Sequence, residues 1–139
     1  SVILVTFNTS SNKLSVILPG IIIGVILFQT VVVAPTVFKS LGAELASPFL
    51  RAIFPRLFLF IALFGFASCI EKVFSNNELS FGFISALVTV IFMLICFFLV
   101  PMTNKAKDEQ KDGLFRGLHS LSVALTLVVL VVNCFTVFI

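Results

Sequence analysis

Three stretches of this chain contain no Asp, Glu, Lys or Arg: Leu14 to Phe38, Leu79 to Asn104 and Gly117 to Ile139. Each is longer than the ~20 residues that an α-helix needs to cross the hydrocarbon of a bilayer. A fourth apolar stretch, Leu57 to Ile70, is shorter and lies between Arg56 and the adjacent pair Glu71 and Lys72. It spans only if those ends reach for the headgroups, as long basic side chains do. With 60% apolar and 11% charged residues and a mean hydropathy of +1.24, helices of this kind have no polar face to offer water. The expected fold is all-α, a four-helix transmembrane bundle with antiparallel neighbours. It occupies residues 1–139 as one domain, with helices over roughly 14–38, 48–74, 80–101 and 114–139.

Such a division leaves short connections and no separate soluble module, so function resides in or at the membrane. The net charge of +3 does not point to nucleic acid, because no basic stripe interleaved with aromatics is present to follow phosphates. Cys69, Cys96 and Cys134 are odd in number, lie in apolar stretches and have no CxxC spacing. They read as small buried hydrophobes.

Along the chain, Pro19 and Pro35 bracket the first helix, and Gly20 and Gly24 form a GxxxG read as a packing feature. The opening SVILVTF is too short to span and has no basic flank, and the following NTSSNK reads as a polar break; no intact signal peptide is expected. KSLGAELASP reads as a connection, with Ser47 and Pro48 as N-cap and first residue of the second helix. Pro55 predicts a bend between Arg51 and Arg56, with the first turns along the interface. Pro101 is expected to end the third helix, and TNKAKDEQKDG to be a solvated loop or helical extension.

Lys39, Arg51, Arg56, Lys105, Lys107, Lys111 and Arg116 fall in connections on one side, against Lys13 and Lys72 on the other. The positive-inside rule then places the basic connections in the cytoplasm, or in matrix or stroma, and both termini opposite. Arg51 and Arg56 are candidates for anchoring anionic lipid, with plain positive-inside anchoring the simpler reading and Glu44 a nearby partner for either.

On a 3.6-residue wheel Arg116, His119, Ser122, Thr126, Asn133 and Thr136 share a stripe of the fourth helix, and Ser85, Thr89 and Cys96 form a shorter one on the third. With Gln29 of the first helix they suggest a polar seam of Gln29, Thr89, Arg116, His119, Ser122, Thr126 and Asn133 facing protein or a water-filled cavity. The simplest use of such a seam is interhelical hydrogen bonding at about 0.6 to 2 kcal/mol per contact. His119, the single histidine, is a weak cofactor ligand candidate. A haem would need Met93, Met102 or a partner chain as second axial ligand. A histidine-based zinc or copper site fails on count, and no carboxylate inside a span continues a proton relay from His119. An interfacial histidine with satisfied hydrogen bonds is the preferred reading. No nucleophile with an adjacent base, phosphate loop or paired carboxylates is apparent, so no catalytic residue, metal or cofactor is predicted.

In LVPMTNKAKDEQKDGLFRGLHSLSVALTLVVLVV, Phe115, Leu118, His119 and Ser122 form F-x-x-LH-x-x-S. In QTVVVAPTVFKSL, Ala34, Pro35 and Phe38 form A-P-x-x-F, and Phe54 and Pro55 follow in the next helix. These motifs resemble a family of small four-helix membrane proteins of unknown function related to eukaryotic transmembrane protein 205. The pattern is more distantly similar to copper-resistance membrane domains and to four-helix protoporphyrinogen oxidases that bind haem, from which one histidine is a departure. The resemblance implies a fold and a membrane location. The expected role is non-enzymatic, an accessory or scaffold subunit of a larger membrane complex, with the bilayer and other membrane subunits as partners and no nucleic acid. The alternatives are transport of a small solute or metal ion along the polar seam and a haem-binding redox role.

Overall fold

A computed structural model describes residues 2–139. Helix α1 covers Val2–Phe28, a π-helical turn covers Gln29–Val33, and α2 covers Ala34–Phe74. Helices α3, Phe81–Asp108, and α4, Asp112–Phe138, follow, and no strand occurs among the described residues. The expected four separate spans are therefore replaced by three long apolar helical runs, Val2–Phe74, Phe81–Asp108 and Asp112–Phe138, the first of them bent. Their length and composition are compatible with a multi-pass membrane protein.

The bend lies at Gly42, whose φ of 70° and ψ of 167° leave the helical region. Glycine adopts that geometry without the clash a Cβ brings. Ser11 and Ser15 reach Glu71, and Ile22 and Ile26 pack with Phe58, Ile61 and Ala62. These partners flank Gly42 about evenly, so the two arms of the run lie side by side in opposite directions. Helix α2 packs on α3, α3 on α4, and α1 on both α2 and α4. The core is Ile22, Ile26, Phe58, Ile61, Ala62, Met93, Cys96 and Val129. At Gly65 the α2 and α3 backbones come close, since a Cβ there would sit 2.9 Å from Thr89 Cγ2.

Four boundary expectations are corrected. NTSSNK lies within α1 and does not break it. Pro35 does not end the first helix. It lacks an N–H and its ring would crowd the carbonyl of Val31, and the ladder widens instead, with Ala34 N–H bonding the Gln29 carbonyl five residues back. KSLGAELASP is helical apart from Gly42, as its Leu, Ala, Lys and Glu content favours. Pro101 sits inside α3, which continues through NKAKD to Asp108.

Helix ends are set by local chemistry. In α2 the N–H of Asn76 bonds the Val73 carbonyl and that of Asn77 the Lys72 carbonyl, with Asn76 at φ 52°. In α3 Gln110, at φ 56°, bonds Lys107, and Lys111 bonds Ala106. Both are Schellman closures made with a side-chain-bearing residue where glycine is commoner. Ser80 caps α3 by accepting the Phe83 N–H.

Candidate functional site: an internal polar chamber

One turn before the end of α2, Glu71 and Lys72 point into the bundle, each retaining under a tenth of its exposure. This overturns the expectation that the pair reaches outward for headgroups. Burying either ion costs several kcal/mol unless its partners are restored, and α1 supplies them. Ser11 donates to Glu71 Oε1 at 2.6 Å and Ser15 at 3.0 Å, and Ser75, one turn on in α2, donates at 2.9 Å. Ser75 Oγ is equally placed to donate to the Glu71 carbonyl at 2.8 Å or to Ser11 Oγ, its single proton serving one acceptor at a time. Lys72 Nζ donates to Ser15 Oγ at 2.7 Å and lies 3.4 Å from Glu71 Oε2. Neighbours in sequence on a helix seldom face each other. The long lysine stem folds back here because α3 crosses it with Gly82, where a Cβ would lie 2.8 Å from Lys72 Cε.

Helices α3 and α4 complete the chamber. Asn133 Nδ2 donates to Thr89 Oγ1 at 2.9 Å and to the Val129 carbonyl at 2.8 Å. Between these groups and the ion pair is a cavity of about 10 Å³, lined by Ser15, Ser68, Glu71, Lys72, Ser85 and Asn133 among others. That is room for about one water molecule. Glu71 Oε2 and Ser85 Oγ have no hydrogen-bond partner.

Of the expected seam, the fold joins Thr89 to Asn133 directly. Ser122 and Thr126 lie further along α4, where the Ser122 carbonyl accepts from Thr126 Oγ1 at 2.8 Å and from Cys96 Sγ at 3.7 Å. Met93, Cys96 and Val129 are fully buried and belong to one hydrophobic core cluster. Arg116 and His119 are exposed. Arg116 Nε bonds the Asp112 carbonyl, and His119 stacks on Phe115 with ring centroids 5.9 Å apart. Gln29 is buried in the π-helical turn with Nε2 unpartnered, and no hydrogen bond ties it to Thr89 or Asn133.

At the other end of the bundle, Arg51 holds Asp108 through two hydrogen bonds of 2.7 and 3.0 Å. Asp108, not Glu44, is its partner. Arg56 Nη1 bonds the Ala52 carbonyl and is exposed. The residues missed from the sequence are Ser11, Ser15, Glu71, Lys72 and Ser75. A signal existed in the i, i+4 spacing of Ser11 with Ser15 and of Glu71 with Ser75, which puts each pair on one helix face.

The model of a domain of unknown function, DUF4149, matches residues 17–112. The chain belongs to the DUF4149 family. No curated protein and no solved structure matches it. The family match reaches neither the relatives of transmembrane protein 205 nor the copper-resistance domains that the sequence motifs resemble. Within this DUF4149 chain the matched region takes in Glu71, Lys72, Ser85 and Thr89, whereas Ser11, Ser15 and Asn133 lie on either side of it.

Proposed function

We propose that this DUF4149 chain is a single-domain, antiparallel four-helix transmembrane bundle that acts without catalysis, as an accessory or scaffold subunit of a larger membrane complex. The supporting observation is a filled interior. Ile22, Ile61, Met93, Cys96 and Val129 keep 1% or less of their surface, and the cavity beside Glu71 and Lys72 has room for about one water molecule. Small-molecule sites usually enclose several hundred Å³. Large apolar side chains, by contrast, point outward from every helix, which leaves the lipid-facing surface as the place where this protein meets others. Antiparallel hydrogen bonding of α1 to the end of α2 supports reading the bent run as two spans. The proposed sidedness keeps the basic connections cytoplasmic. With Lys72 turned inward, Lys13 alone opposes them, so the bias is steeper than sequence counting gives. A kinship with transmembrane protein 205 rests on the two motifs around Pro35 and His119.

The test is purification of the native protein in mild detergent. A subunit is expected to keep a fixed ratio to the same membrane proteins over successive columns, and a protein that elutes alone refutes the reading. A second reading, transport of a small solute or metal ion, is favoured by one observation, since ionisable residues inside a bundle commonly mark pathways and Glu71 and Lys72 are buried. It predicts flux in proteoliposomes that Asn133→Leu or Glu71→Gln abolishes. Flux unchanged by both removes it.

A further inference from the structure

We propose that the cavity at Glu71 binds one water molecule, held by Glu71 Oε2 and Ser85 Oγ, and that this water carries protons to and from the buried Glu71 carboxylate. Volume comes first: about 10 Å³ accepts one water and little else. Polar satisfaction comes second. Ser85 keeps 1% of its surface and Glu71 8%, and each leaves an oxygen without a hydrogen bond at the same cavity, Glu71 Oε2 having only the ion-pair contact of 3.4 Å to Lys72. Orphaned buried groups of that kind are normally met by ordered water.

The walls also select the occupant. Ser68 sends its proton to the Phe64 carbonyl, Thr136 to the Val132 carbonyl and Ser15 to Glu71 Oε1. Asn133 spends both amide protons on Thr89 and Val129. Pro19, also in the lining, has no N–H for the Ser15 carbonyl one turn earlier. The donors left facing the cavity are the Lys72 ammonium, which spends one proton on Ser15 Oγ, and the Ser85 hydroxyl, while Glu71 Oε2 offers lone pairs, so the occupant must both donate and accept. An anion would add a net charge beside the Glu71 carboxylate, whose charge Lys72 already balances. A sodium or ammonium ion suits the lone pairs but adds a net charge beside Lys72 where the Glu71–Lys72 pair is otherwise neutral, at low dielectric. Water donates, accepts and adds no charge.

The charged groups lining the chamber are Glu71 and Lys72 alone. Helix α1 contributes Ser15 and Pro19, α3 Gly82, Ser85 and Ala86, and α4 Asn133 and Thr136. On acidification one proton passes from the bound water to Oε2, forming the carboxyl O–H, and the water takes its replacement from solvent. No electron moves, and the ammonium of Lys72 is left uncompensated.

The test is infrared spectroscopy of the full chain in lipid nanodiscs, in ordinary water and in water labelled with oxygen-18. The expected result is one buried O–H stretching band that shifts with the label. It changes in the same acid step in which a protonated carboxyl band appears, and Glu71→Gln removes that carboxyl band. Ser85→Val, which fills the cavity, abolishes the labelled band. Ser85→Ala, a milder change should Val prevent folding, shifts its frequency. No label-sensitive band in the wild type, or one indifferent to both Ser85 substitutions, overturns the proposal. So does a heat of sodium or ammonium binding that Glu71→Gln removes, which would make the occupant a cation. A water band unchanged through the acid step overturns the proton role.

Discussion

The two ends of this bundle each carry an acid–base pair between or beside helices, and the two are built on opposite principles. Arg51 and Asp108 meet at the basic end with side chains 31% and 60% exposed, so solvent remains to stabilise either partner alone. Glu71 and Lys72 meet at the other end almost fully buried, and three serine hydroxyls converge on a single carboxylate oxygen. An exposed pair of good geometry is a weak clasp. A buried pair is a commitment, because either member without the other is an unsolvated charge. The comparison identifies the chamber as the place where a single substitution is felt most.

The largest effect is expected from Glu71→Leu, which strands the Lys72 ammonium: a loss of about 3–5 kcal/mol of stability, read by thermal unfolding in detergent. Adding Lys72→Met should return a good part of that loss, since the two positions share one interaction. If the double variant is as unstable as the sum of the singles, the chamber does not act as a unit. Gly82→Ala comes next. Its Cβ would press on the Lys72 stem at 2.8 Å, and overpacking of this kind costs about 1–3 kcal/mol; full stability in this variant would mean that Lys72 swings freely and that its confinement is overstated. Asn133→Leu removes the bond to Thr89 and should cost about 0.6–2 kcal/mol, measured by the same unfolding. The smallest change belongs to the other end: Asp108→Ala is expected to cost at most about 1 kcal/mol, with a difference from wild type that shrinks as salt is raised. A loss at Asp108 equal to that at Glu71 would erase the contrast.

The long apolar helices, the all-α class and the Thr89–Asn133 meeting were legible because they follow from periodicity and from absence of charge over long windows. Continuity of the helices was less so. Pro35 and Pro101 are local stop signals, but a helix can absorb them, by a widened turn in the first case and by strong helix formers beyond the proline in the second. The chamber was misread for a different reason. Glu71 and Lys72 sit where an apolar run ends, which on sequence alone is an interface position. Their inward direction depends on Ser11 and Ser15, some sixty residues earlier and behind a segment that read as a break. His119 failed in the opposite sense: its spacing placed it on a polar stripe, yet α4 carries that stripe out of the bundle before reaching it.

The bend at Gly42 has a consequence for how this chain tolerates insertions and deletions. With no slack loop between the arms, their register is counted directly from that glycine. Each residue added to or removed from one arm rotates it by about 100° and slides it by about 1.5 Å. A single insertion between Phe38 and Gly42 would thus swing Ser11 and Ser15 off the face that meets Glu71, while a change of three or four residues would nearly restore the facing side.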